Sequence, residues 1–161
     1  YLEGERHLEG RNIDYAMRRY NQAWLLDPEN FQPYWGFGRA MLAQDKFDMA
    51  IENFERALAR LDSPRHKIAL SVDTATAYSV RGKHDARFAA QDFARANQLF
   101  TESNKADPEH PNVYRRWAMA LYREGRYADA WAKVAEARSR NSRPFPPHFL
   151  ADLSTKMQEP R

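Results

Sequence analysis

Phe47-Asp48-Met49-Ala50-Ile51-Glu52-Asn53-Phe54-Glu55-Arg56-Ala57-Leu58-Ala59-Arg60-Leu61 is the stretch on which the fold class turns. Its apolar residues, Phe47, Ala50, Ile51, Phe54, Ala57, Leu58 and Leu61, recur three and four apart. That spacing gathers side chains on one face of an α-helix. Tyr127, Ala130, Trp131, Val134 and Ala137 form a second stripe of the same kind. Each stripe follows a helical stretch rich in aromatic residues and a short polar turn, Gln44-Asp45-Lys46 before the first and Glu124-Gly125-Arg126 before the second. Nowhere do apolar and polar residues alternate in a sustained period of two, so the spacing predicts no strands. The elementary unit is a helical hairpin with a short loop.

Two turns punctuate these hairpins. Leu26-Asp27-Pro28-Glu29-Asn30 and Ala106-Asp107-Pro108-Glu109-His110 share an Asp-Pro-Glu core. Each lies at the end of a helical pattern, where the residue before proline is pushed out of helical geometry. After Asn141 the pattern stops in Ser-Arg-Pro-Phe-Pro-Pro, and Pro146-Pro147 can start a last helix over about 146–158 with Phe149, Leu150 and Leu153 facing inward. Such a helix would cover the apolar face that the final hairpin otherwise leaves wet.

Residues 31 to 64 resemble one 34-residue tetratricopeptide repeat. Tyr34 stands at the tryptophan position, Phe37-Gly38 at the Leu-Gly pair and Met41 at the tyrosine, and Ala50, Phe54 and Ala57 follow in register. Residues 111 to 144 repeat the pattern with Tyr114, Trp117-Ala118, Leu121, Gly125, Tyr127, Ala130, Val134 and Ala137. The N-terminal segment supplies Ala16, Tyr20, Ala23 and Pro28, with one extra residue in its loop at Arg11-Asn12. The resemblance implies an all-α, right-handed superhelix of antiparallel helical hairpins, a tetratricopeptide-like α-solenoid with a C-terminal capping helix. Read this way, residues 1–161 are a single domain with hairpins at about 1–28, 31–62, 64–108 and 111–141.

The third hairpin is too long for the pattern. Pro28 and Pro108 are 80 residues apart, where two regular repeats would span 68. With Tyr78 and Gly82 aligned to the hairpin turn, three of the extra residues fall in the loop around Asp62-Ser63-Pro64. The other nine are expected to lengthen the second helix, which is then continuous from about His84 to Lys105.

The chain has no cysteine, which excludes disulfides, thiol nucleophiles and Cys-ligated zinc but leaves the compartment open. Localisation is therefore undecided between cytoplasmic and exported or periplasmic. The first residue is Tyr rather than Met, and the expectation is a trimmed or processed chain. No stretch approaches the ~20 apolar residues of a membrane-spanning helix. Charge is uneven: residues 115–161 carry 10 Lys/Arg against 5 Asp/Glu, whereas residues 1–62 carry 8 against 11. A basic C-terminal third points to an acidic partner or to a solvated face.

Catalytic constellations are thin. Gly36-Phe37-Gly38 lacks the third glycine and the preceding strand of a phosphate cradle, and reads as packing together with Ala118. His7, His66, His84, His110 and His148 share no metal-ligand spacing. No serine or carboxylate pairs with a histidine at helical spacing. The expectation is no enzyme, no cofactor and no metal.

The family resemblance implies a protein–protein interaction scaffold or adaptor that holds a peptide or protein surface in a concave groove lined by the first helix of each hairpin. The implied groove residues are Trp35, Arg39 and Leu42, then Val72, Thr76 and Ser79, then Arg115, Met119 and Tyr122, flanked by Arg116 and Arg123. Trp35 is expected to be exposed as an apolar anchor, and the arginines to orient an acidic partner. Trp35 and Arg39 stand where chaperone-gripping relatives carry Lys and Asn, which disfavours that clamp. The alternatives are nucleic-acid binding through the basic C-terminal third, with nucleic acid the less favoured partner, and a self-associating structural unit; a monomer is the preferred state.

Overall fold

The computed structural model describes residues 13–61 and 63–160. Among the described residues the chain is all-helical, with eight helices and no strand. They are α1 Ile13–Leu26, α2 Phe31–Leu42, α3 Phe47–Arg60, α4 Pro64–His84, α5 Ala89–Ala106, α6 Pro111–Glu124, α7 Tyr127–Ser139 and α8 Pro147–Lys156. The first helix of the N-terminal hairpin, the loop at Arg11-Asn12, His7 and Asp62 lie outside the described residues. The chain groups into two compact units, Tyr1–Ala77 and Tyr78–Arg161, divided within α4.

In the first unit α2 packs against both α1 and α3. Of the stripe read from the sequence Ala50, Ile51, Phe54 and Ala57 of α3 are buried, as are Tyr34, Ala40 and Met41 of α2, and the two helices pack together. The two glycines of α2 are there for proximity. A Cβ on Gly38 would sit 2.5 Å from the Phe54 ring, and one on Gly36 would sit 2.4 Å from the Tyr20 ring. At interior packing density neither clash can be absorbed without moving a helix.

In the second unit α6 packs against α5 and α7. Tyr114, Ala118 and Leu121 of α6 meet Ala130, Trp131, Val134 and Ala137 of α7, and α8 adds Phe149 and Leu153 to the same core. The indole N–H of Trp131 donates to the Met157 carbonyl at 2.8 Å, tying down the end of the last helix. Phe100 of α5 stacks on Trp117 of α6 at 5.8 Å.

The two Asp-Pro turns are the same device in atomic detail. Asp27 accepts from the Glu29 amide at 3.2 Å and Asp107 from the Glu109 amide at 3.1 Å. The Tyr34 hydroxyl donates to the Pro28 carbonyl, and the Tyr114 hydroxyl to the Pro108 carbonyl. Arg60 lies over the Tyr34 ring and Arg140 over the Tyr114 ring. The hairpin loops match as well. Asp45 and Gly125 take positive φ, of 57° and 85°, and the amides of Lys46 and Arg126 then close on the carbonyls of Met41 and Leu121. That closure satisfies the carbonyls a helix end leaves open.

The third hairpin departs from expectation. Its second helix is not continuous from His84: residues 85–88 are non-helical, and α5 begins at Ala89. The extra residues lengthen both helices, giving 21 residues in α4 and 18 in α5 against 12 to 14 in α2, α3, α6 and α7. Asp85 makes the break. Its carboxylate accepts from the Arg87 amide at 3.0 Å and its carbonyl from the Phe88 amide at 3.1 Å, a local turn that competes with helical bonding. Gly82 is inside α4 rather than in the turn, and a Cβ there would lie 3.2 Å from Asp92.

Candidate functional site

α6 buries Val113, Tyr114, Ala118, Ala120 and Leu121. What remains along its other side is Arg115, Arg116, Met119, Tyr122 and Arg123, all partly exposed. At 100° per residue Arg116 and Arg123 fall within ~20° of one another, two turns and ~10.5 Å apart along the axis, with Met119 between them. Five of the expected groove residues therefore share one face of one helix.

Two arginines of this face are held by neutral groups. Arg115 donates from Nε to the Pro144 carbonyl at 3.2 Å, with its guanidinium 5.9 Å from the centre of the Phe145 ring. Arg123 donates from Nη1 to the Ser79 hydroxyl at 3.1 Å. No carboxylate among the described residues forms an ion pair with Arg115, Arg123 or Arg143, whereas Arg126 pairs with Asp129, Arg138 with Glu159 and Arg140 with Glu109 and Glu136. Glu124, next in sequence to Arg123, is turned to the Asn97 amide at 2.8 Å. Burial pushes Arg123 down to about 10, and the positive charge of Arg116 pushes the same way. Arg115 is lowered by burial and then by Arg116 and Arg143. Four guanidinium groups are thus close enough to feel one another's charge. The arrangement suits a bound anion.

Tyr122 is engaged from the side. Its ring meets Phe149 edge-on at 5.6 Å and Tyr127 at 5.8 Å, so it forms a wall rather than a free contact. Met119 packs partly against the core cluster beneath it.

The first unit gives the opposite outcome, and Trp35 corrects an expectation. It is 4% exposed, its indole N–H donates to Asp73 at 2.9 Å, and its ring stacks with Phe31 and meets His66. An exposed anchor is ruled out because the N-terminal part of α4 supplies both an aromatic lid and a carboxylate partner. Arg39 lies 3.9 Å from the same Asp73 carboxylate and is half-buried, as is Leu42. Val72, Thr76 and Ser79 of α4 are buried too, with the Thr76 hydroxyl bonded to the Val72 carbonyl at 2.8 Å. Trp35, Val72, Thr76 and Ser79 are therefore buried, while Arg39 and Leu42 keep partial exposure.

Several partners were missed by sequence reasoning. Asp73 acts 38 residues from Trp35, and no local pattern announces it. Arg143 and Phe145 join the α6 face from the loop before α8, again through tertiary placement. Asp92 did leave a signal. It sits on the stripe of Ala89, Ala96 and Leu99, and it is fully buried with two 2.8 Å bonds from Arg81. An acid on an apolar stripe calls for such a partner. Among the described residues no group of three His, Asp or Glu side chains could hold a metal ion, and no helix is long and apolar enough to cross a membrane.

The chain matches no family model, and no curated protein matches it.

Proposed function

We propose that this chain is a tetratricopeptide-like, non-catalytic interaction unit of stacked helical hairpins, and that it takes an acidic peptide segment or protein surface on the open face of α6. The observation that carries the reading is Arg123, a partly buried guanidinium with a hydroxyl partner, a neighbouring cation and no carboxylate among the described residues. Holding a desolvated charge without a counter-ion is costly, and a partner's carboxylate would offset that cost on binding. Tyr122 and Met119 supply apolar surface beside the charges, the mixture of aromatic and arginine contacts that dominates binding surfaces.

Fluorescence anisotropy with labelled peptides of one length and acidic, neutral or basic side chains tests this. Acidic peptides should bind at least about tenfold more tightly than neutral ones, and Arg123→Gln should remove most of that preference. Equal affinity for all three charge classes sinks the reading. An unlabelled single-stranded oligonucleotide as competitor separates the alternative of nucleic-acid binding, which would also show a much steeper salt dependence. Sedimentation across a concentration series separates self-association.

A further inference from the structure

Resting on that reading, we infer that the anion taken at this face is a phosphorylated serine or threonine of the partner segment, gripped between Arg115 and Arg143. The two arginines come from different elements, α6 and the loop before α8, and a hydrogen bond joins those elements. Arg115 donates from Nε to the carbonyl of Pro144, the residue after Arg143, at 3.2 Å. Phe145, next along the loop, is buried and stacks on Phe149 of α8 at 5.2 Å. Arg143 is therefore held beside Arg115 by its neighbours in the chain, and its own side chain is not needed for the loop to stay in place.

What each guanidinium leaves open decides the ligand. Arg115 uses Nε on the loop, and its two Nη groups have no hydrogen-bond partner among the described residues. Arg143 is exposed and makes neither a hydrogen bond nor an ion pair among them. The charges that act on Arg115 are those of Arg116 and Arg143, with no carboxylate beside them. A carboxylate has two oxygens and one charge, enough for one guanidinium. A phosphoryl monoester has three acceptor oxygens and a charge of about −1.5 to −2 at pH 7, so it can bond both guanidinium groups at once and offset both cations.

The surroundings favour a peptide as the carrier. Tyr122, braced by Phe149 and Tyr127, and Met119 are partly exposed on the same helix and offer apolar surface to the residues that flank the phosphate. None of the most exposed large apolar side chains among the described residues belongs to α6 or to the loop before α8, so this face has little to insert into a bilayer. Nucleic acid carries a single charge per phosphate and lacks the dianion.

The test uses the full chain and labelled dodecapeptides of one alanine- and leucine-containing host, with serine, glutamate or phosphoserine at the central position. Phosphoserine should bind about tenfold more tightly than glutamate, and glutamate more tightly than serine. Arg143→Gln should bring phosphoserine down to the level of glutamate, whereas Arg126→Gln, which removes an exposed arginine already paired with Asp129, should leave the gap unchanged. Circular dichroism verifies that both variants are folded. Equal affinity for phosphoserine and glutamate, both tighter than serine, overturns the phosphoryl inference and leaves the acidic-ligand reading standing. A phosphoserine preference that survives Arg143→Gln, or is lost equally in Arg126→Gln, overturns the assignment to Arg115 and Arg143. Tighter binding of phosphatidylserine vesicles or of a single-stranded oligonucleotide than of the phosphoserine peptide overturns the peptide as carrier. No advantage of either anionic peptide over serine defeats both readings.

Discussion

Helices α2 and α6 hold the same place in hairpins 80 residues apart, share the Asp-Pro entry turn and the tyrosine that closes it, and yet end differently. Trp35 of α2 corresponds to Arg115 of α6, Arg39 to Met119, and Leu42 to Tyr122. On α2 the face is closed within the first unit: His66 and Asp73 of α4 lie against Trp35, and Asp73 also serves Arg39. On α6 the neighbouring polar group is the Ser79 hydroxyl, which accepts a hydrogen bond from Arg123 but brings no charge. Trp35 and Arg39 thus meet an acid while Arg123 meets a hydroxyl, and the proposed anion site follows from that difference.

Trp35→Ala is the strongest way to break this comparison. It removes a large buried ring and one hydrogen bond to the Asp73 carboxylate, and should cost about 3 to 5 kcal/mol in urea unfolding. A loss under ~1 kcal/mol would mean that the α2 face is open after all and that both helices present comparable surfaces.

Arg123→Gln sharpens the contrast from the other side. Because burial lowers Arg123 to about 10, well below the ordinary guanidinium value, the fold disfavours its charged form. That penalty is present throughout the physiological range and is relieved only as pH rises through about 10. The substitution should therefore leave the melting temperature at pH 7 unchanged or raised while binding of an acidic peptide falls, the pattern of a residue kept for function at the expense of stability. A clear drop in melting temperature would show that Arg123 has a structural counter-charge, and the two faces would then differ less than proposed.

The smallest effect lies at the turn between α4 and α5. The Arg87 side chain and amide hold Asp85 down to about 2 from 3.8. A lowered carboxylate contributes stability that is full above its ordinary value and is lost as pH falls toward 2. Unfolding measured between pH 4 and pH 2 should show a shallow decline that Asp85→Asn flattens. Because the group is partly exposed its contribution is small, and a steep decline there would point to another carboxylate.

How much could be read in advance follows from which interactions are local. The hairpin boundaries, the two matching turns, the capping helix, and the packing roles of Gly38 and Ala118 all depend on helical period, proline placement and side-chain volume, and these act within a few residues. The stripe of Arg115, Arg116, Met119, Tyr122 and Arg123 was legible for the same reason. The break at residues 85–88 was local too, but apolar spacing runs across it without a gap, and the signal lay in Asp85 and its bond to the Arg87 amide. Burial of Trp35 was beyond reach, since besides Phe31 it meets His66 and Asp73 from another helix, Asp73 lying 38 residues along the chain. By itself the sequence determined an all-helical chain of hairpins and the charges that one helix carries. Only the tertiary structure decided which charges are neutralised within the protein, because an ion pair depends on which side chains packing brings within a few ångströms.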